Sequence, residues 1–195
     1  MDADYIVVEQ ALPDRCVANR PSADPSVQVV VLEAGPRTRT ELIHIPAACA
    51  EAVSQRGGLG LSDRAAEGNS TAREIYWPRG KTLGGSSSMN AMMWVRGFAA
   101  DYDEWGSLAG DEWDYAHVEK YFTRIENGPL GDLAPAQSTQ LTAAWLQAAR
   151  ECGYRVDIAQ YCAAPEGFCE ATVTQRKGAR WSTADAYLKP ALRTA

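Results

Sequence analysis

The chain has 195 residues, enough for one domain or for one domain and part of a second. Its net charge of −6 excludes a nucleic-acid partner and an anionic membrane surface, because both need a basic face. No apolar run is long enough to span a bilayer, and MDADYIVV lacks the basic start and long apolar stretch of a signal peptide. Apolar residues at 46% suffice for a sizeable core. Cys16, Cys49, Cys152, Cys162 and Cys169 form no C-x-x-C pair and are odd in number, so reduced thiols in a cytoplasmic protein are expected. Each reads first as a small buried hydrophobe.

Asp4 to Val8 reads as a short buried strand, and Ser26 to Leu32 (SVQVVVL) as a second. Their continuous apolar character is that of parallel strands covered on both faces. The intervening segment has the size of a βαβ crossover. Pro46 to Val53 reads as a helix with Pro46 at its first position. Gly57 to Thr71 shows no period, and Glu74 to Trp77 reads as a short strand stopped by Pro78. Asp114 should cap a helix running to about Glu126, with Val118, Tyr121, Phe122 and Ile125 inward. Thr139 to Cys152 reads as another helix, with Leu141, Ala144, Trp145, Ala148 and Ala149 inward and Gly153 as its stop. Ala171 to Gln175 alternates like a strand and enters a turn at Lys177-Gly178. Ser182 should cap a short helix that ends before Pro190.

Glu33 closes the second strand of this N-terminal unit. A carboxylate there can accept hydrogen bonds from the ribose hydroxyls of an adenine dinucleotide, although many strands simply end in a solvated Glu. Gly84-Gly85-Ser86-Ser87-Ser88 offers small residues and free backbone N–H groups, which suit close approach to a pyrophosphate or a flavin ring. Its flanks, WPRG and NAMMWVRG, are unlike a flexible linker. Gly80-Lys81-Thr82 resembles the end of a P-loop, but Ile75 stands where that motif needs its first glycine, which rejects a nucleotide triphosphatase. His44 and His117 are the only histidines, and neither builds a Ser/His/Asp set or a metal cluster.

The stretch from Ile75 to Gly97, IYWPRGKTLGGSSSMNAMMWVRG, closely resembles the first signature of the glucose–methanol–choline (GMC) oxidoreductases. DYIVV, QVVVLEAGPR, DYDEWGSL, EWDYAHVEKYF, EGF and RWSTADAYLKPAL fall in the order of that family, nearest its choline and alcohol dehydrogenase branch. The resemblance implies an α/β, Rossmann-like FAD/NAD(P)-binding domain and FAD as cofactor. Glu33, with its neighbour Ala34, would then bind the ADP ribose. Arg79 and Gly80 would lie along the FAD, Gly84 and Ser86 would face the pyrophosphate or flavin, and Asn90 and Ala91 would sit near the isoalloxazine. The family oxidises a small-molecule alcohol by passing hydride to the flavin, with a histidine near the C-terminus taking the proton. The resemblance places that histidine and the substrate domain beyond residue 195, so residues 1–195 read as an incomplete FAD-binding domain with no catalytic residue of its own. An uncovered sheet edge and apolar surface would favour self-association.

One departure is large. Family members carry G-x-G-x-x-G after the first strand, where this chain has Glu9-Gln10-Ala11-Leu12-Pro13-Asp14-Arg15. Side chains there should block the approach of a pyrophosphate, and Glu9 and Asp14 add negative charge. Pro13 and Pro21 should disfavour the helix that presents its N-terminus to the ligand. Yet EQALPDR can be encoded so that a one-base shift reads GAGSAGS, which restores the glycine pattern without changing the length. Asp63 to Ala66 can likewise shift to TEPQ, within the W-G-x-x-T-E-P-like segment common in the family. Local frameshifts over residues 9–15 and about 57–67 are therefore expected, and the nucleotide sequence decides them. The alternatives are a non-catalytic remnant or partner-binding module, and last an NAD enzyme, which shares Glu33 but leaves GGSSSMN unexplained.

Overall fold

The computed structural model of the chain describes residues 2–9, 14–36, 41–48, 62–63, 75–76, 78–131, 133–135, 138–156 and 166–194. Its longer elements are β1 (Tyr5–Glu9), α1 (Asp14–Asn19), β2 (Val29–Glu33), α2 (Ala99–Ala109), α3 (Tyr115–Glu126), α4 (Gln140–Glu151) and α5 (Lys189–Thr194). Two compact units form: Met1–Met92 with Lys177–Ala195, and Met93–Arg176.

In the first unit β1 and β2 pair in parallel, with Tyr5 opposite Val29 and Glu9 opposite Glu33. This is the expected βαβ start. β2 begins at Val29 rather than Ser26 because the Asp24 carboxylate accepts the N–H and hydroxyl of Ser26, at 2.9 and 2.7 Å, and folds that stretch into a turn. The expected burial of both strand faces fails: Ile6 is 64%, Val8 62% and Leu32 51% exposed. α1 packs its Ala18 inward, and a ribbon covered by one short helix leaves its other face open. Glu74 and Trp77 lie outside the described residues, but Ile75–Tyr76 does form a short strand, antiparallel to Ser62–Asp63.

Three local expectations are corrected. Pro13 and Pro21 do not suppress the crossover helix; they bracket it. Pro13 precedes the first helical residue and Pro21 stands two residues after the last, opening a 3-10 turn over Pro21–Ala23, and neither position needs an intrahelical N–H. The segment from Pro46 is a 3-10 turn over Pro46–Ala48, and residues 49–53 of the predicted helix lie outside the described residues. The last helix does not stop before Pro190: a π-helical turn over Ala184–Leu188 passes into α5, where Pro190 is the second residue. A missing donor is tolerated in the first turn of a new α segment. Lys177 and Gly178 both take positive φ, 52° and 76°, as a type I′ turn requires.

The second unit is mostly helical. Asp114 caps α3 by accepting the His117 N–H at 2.8 Å, and Thr139 caps α4 by accepting the Thr142 N–H at 3.1 Å. Gly153 leaves α4 at φ 84°. The inward faces differ from the periodic reading. On α3, Tyr115 is buried and Tyr121 is exposed, because Phe122 takes the inward place and packs edge-on against Tyr102 at 5.6 Å. On α4, Leu146 and Ala149 are buried while Leu141 and Trp145 are exposed. Trp145 meets Phe168 edge-on at 4.9 Å instead of entering a core. The strand expected over 171–175 is split at Thr174 into Thr172–Val173 and Gln175–Arg176.

Candidate functional site

β2 delivers Glu33 at the carboxyl end of a parallel strand, the place where open α/β sheets bind ligands. The chain then bends at Gly35-Pro36 and lies against Lys81–Leu83. The Pro36 carbonyl accepts the Leu83 N–H at 3.3 Å and the Thr82 hydroxyl at 3.2 Å. A Cβ on Gly35 would collide with the Lys81 carbonyl and the Thr82 nitrogen, so only glycine permits the approach. A cleft of about 400 Å³ opens here. Glu33, Gly35 and Leu83 form one side, and Val29, Val31 and Leu188 give it apolar walls. The strand end thus lines a cleft with Leu83, the residue that precedes the glycine-serine turn.

The turn itself is a 3-10 helix over Gly85–Ser88, entered by Gly84 at φ 103°. The Gly80 N–H donates to the Ser86 hydroxyl at 3.3 Å. The N–H groups of Gly85 and Ser87 are used inside the turn, while those of Gly84 and Ser86 take no partner among the described residues. The segment after the Lys177-Gly178 turn clamps this loop. The buried Arg180 donates from Nε to the Ile43 carbonyl at 2.8 Å. Its Nη1 donates to the Ser87 carbonyl at 3.0 Å and to Asn90 Oδ1 at 2.9 Å. The Thr183 N–H donates to the Ser87 hydroxyl at 3.0 Å. Asp185 accepts the Ser182 N–H at 3.0 Å and hydroxyl at 2.6 Å, and pairs with Lys189. Burial works against the Asp185 carboxylate, yet the Lys189 ammonium and both Ser182 donors hold it below its ordinary range.

Of the residues singled out in the sequence, Glu33, Gly80, Gly84 and Ser86 lie in or beside this assembly. Ala34 and Ala91 are exposed neighbours. Arg79 is exposed and donates to the Pro78 carbonyl at 2.9 Å. The Asn90 side chain is engaged by Arg180 and by the Met92 N–H, at 3.1 Å. Sequence reasoning missed two residues. Arg180 stood in RWST without a role, and its run of small and polar neighbours was the available signal. Arg15 was read only as part of a lost glycine loop, yet its guanidinium reaches Glu33: Nη2 lies 3.2 Å from Oε2. Glu33 Oε1 accepts the Gly35 N–H at 2.6 Å. Residues 10–13 and the side chains of Glu9 and Asp14 lie outside the described residues, as do most of residues 57–67.

His117 is exposed and bound to Asp114, and no group of metal-ligating side chains occurs among the described residues. Cys16, Cys152 and Cys169 are free thiols. No helix among the described residues is long and apolar enough to cross a membrane.

Several known proteins resemble this chain. The GMC oxidoreductase N-terminal family model matches residues 27–195. An uncharacterized GMC-type oxidoreductase of Mycobacterium tuberculosis is 51% identical, over 98% of this chain and 39% of that protein. An alcohol dehydrogenase (acceptor) of Pseudomonas putida is 36% identical, over 95% of this chain and 36% of that protein. Among solved structures, pyridoxine 4-oxidase from Mesorbium loti superposes with a TM-score of 0.86 at 27% identity, covering 98% of this chain and 40% of that one. A formate oxidase of Aspergillus oryzae, studied for FAD modification, gives a TM-score of 0.79 at 23% identity, over 93% of this chain and 36% of that one, a likeness of fold. The chain spans about two fifths of the length of the relatives it matches.

Proposed function

This chain belongs to the GMC oxidoreductases, and from that premise we propose that it forms the FAD-holding part of an enzyme that oxidises the CH–OH group of a small alcohol. The observation that carries the proposal is the shared cleft of Glu33, Gly35 and Leu83. A cleft of about 400 Å³ with apolar walls and one carboxylate at its rim suits a nucleoside, since sites for small ligands run from about 300 to 1,000 Å³ with few, placed polar groups. The base would lie against Val29, Val31 and Leu188, and the ribose hydroxyls would donate to Glu33. The Gly84 and Ser86 N–H groups would face the anionic or flavin portion, with Gly80 giving room beside them and Arg79, Ala34, Asn90 and Ala91 around it. Bound FAD would accept hydride from the alcohol carbon as the alcohol becomes a carbonyl compound. This chain's part is to bind and orient; no described residue is assigned as the proton acceptor. Without glycines over residues 9–15 the pyrophosphate subsite would be the weaker hold and the nucleoside end the stronger.

The test is uptake of FAD by the purified chain, followed by quenching of flavin fluorescence and by visible absorption. Uptake that falls at least tenfold in Glu33→Gln supports the proposal. A colourless protein that takes up no added FAD at millimolar concentration sinks it. A second reading, a partner-binding module without cofactor, is favoured by the exposed Ile6, Val8 and Leu32 on the strand pair. It predicts self-association in sedimentation that Val8→Lys abolishes, with no flavin bound.

A further inference from the structure

Resting on the nucleoside reading of the cleft, we infer that Asn19 determines which base the cleft takes: its amide oxygen accepts the exocyclic amino group of an adenine. Of the described residues that line the cleft, Asn19, Ser22 and Glu33 alone carry polar side chains, and Glu33 serves the ribose hydroxyls in that reading. Asn19 is the last residue of α1. A crossover helix runs antiparallel to the strands it joins, so Asn19 lies toward the start of β2 and Glu33 stands at the strand's far end. From Val29 to Glu33 the strand rises about 13 Å, at about 3.3 Å per residue, which is room for a nucleoside held at both ends.

The contacts of Asn19 fix which atom it offers. Its Nδ2 donates to the Tyr187 carbonyl at 3.0 Å. Turning the amide over would set oxygen against oxygen there, so Oδ1 is held away from Tyr187. Oδ1 takes no donor among the described residues. The Ser22 hydroxyl donates to the Asn19 carbonyl at 3.0 Å, which leaves it only as an acceptor toward a ligand. Both polar side chains at this end therefore present oxygen, beside the one N–H that Nδ2 keeps. Adenine carries an amino group next to ring nitrogens, and a side-chain amide matches that edge, oxygen to amino group and N–H to ring nitrogen. Leu188, a wall of the cleft, directly follows the residue that fixes the amide. A base without an amino group would cover Oδ1 and give it no donor, and that uncompensated burial is what rejects it.

Calorimetric titration of the 195-residue chain with ADP and with purine riboside diphosphate, which is ADP without its amino group, tests this. The unaltered chain should prefer ADP about fivefold, the worth of one neutral hydrogen bond. Asn19→Leu should bring the two affinities together. Asn19→Asp still presents an acceptor to the base and should keep most of the preference, although its charge weakens both nucleotides alike. Equal binding of the two nucleotides by the unaltered chain overturns the inference, and so does an undiminished preference in Asn19→Leu. A preference lost as fully in Asn19→Asp as in Asn19→Leu assigns the effect to the Tyr187 contact and overturns it too. Failure of the unaltered chain to bind millimolar ADP removes the nucleoside reading itself and the inference with it. Should neither variant fold, the unaltered chain decides alone: a preference of about fivefold supports the inference, and parity overturns it.

Discussion

Replacing Gly35 by alanine should part the strand end from the glycine-serine turn. The added methyl would fall on the Lys81 carbonyl and the Thr82 nitrogen, inside the 3.0 Å separation that real Cβ atoms essentially never breach. Both obstacles are backbone, so neither can swing away as a flexible side chain would. The two segments must separate, which strains the Leu83 to Pro36 bond at 3.3 Å and the Thr82 to Pro36 bond at 3.2 Å. Overpacking of this kind costs about 1–3 kcal/mol, and each weakened bond adds about 1 kcal/mol. A total of roughly 3 kcal/mol lowers the melting temperature of a chain this size by about 6–12 °C. The cleft loses one wall in the same step, so ADP affinity should drop at least tenfold when measured below the lowered melting point. Thermal denaturation by circular dichroism and calorimetric ADP titration are the assays. A Gly35→Ala protein that melts within about 1 °C of the parent and binds ADP equally would refute the packing argument.

Arg180→Met should cost roughly 3 kcal/mol or more in urea unfolding, because the Ile43 and Ser87 carbonyls and Asn90 Oδ1 lose their donor; Arg180→Lys should recover only part, since a point charge cannot serve all three. Asp185 titrates below its ordinary value of 3.8 when folded. The unfolded state therefore binds the proton first, and the stability Asp185 contributes is complete above about pH 4 and lost as pH falls through the lower folded value. Asp185→Asn should flatten the acid limb of a stability-against-pH profile, and an unchanged limb would rule out this carboxylate as its source. Sequencing the genomic DNA across codons 9–15 and 57–67 should show GAGSAGS and a TEP-like run in the shifted frame; any other codons dispose of the frameshift.

Local order was legible in residue type and spacing. The apolar runs ending at Val8 and Leu32 specified a parallel pair. Asp114, Thr139 and Gly153 marked helix ends, because capping depends on a single side chain and its nearest backbone groups. Lys177-Gly178 announced its turn for the same reason. The long signature from Ile75 to Gly97 pointed to the family and to the cofactor turn. Other features needed the tertiary structure. The inward face of α4 was not legible: Leu146 and Ala149 are buried while Trp145 lies exposed against Phe168, a contact between residues 23 apart in sequence. Pro190 is tolerated because it falls in the first turn of a new α segment, which begins where the π turn ends. The partners of the two buried guanidiniums were illegible, since an arginine's long side chain leaves its target open until distant segments close around it. Arg180 thus came to hold the turn and Arg15 to hold Glu33, where sequence spacing alone showed only a lost glycine motif.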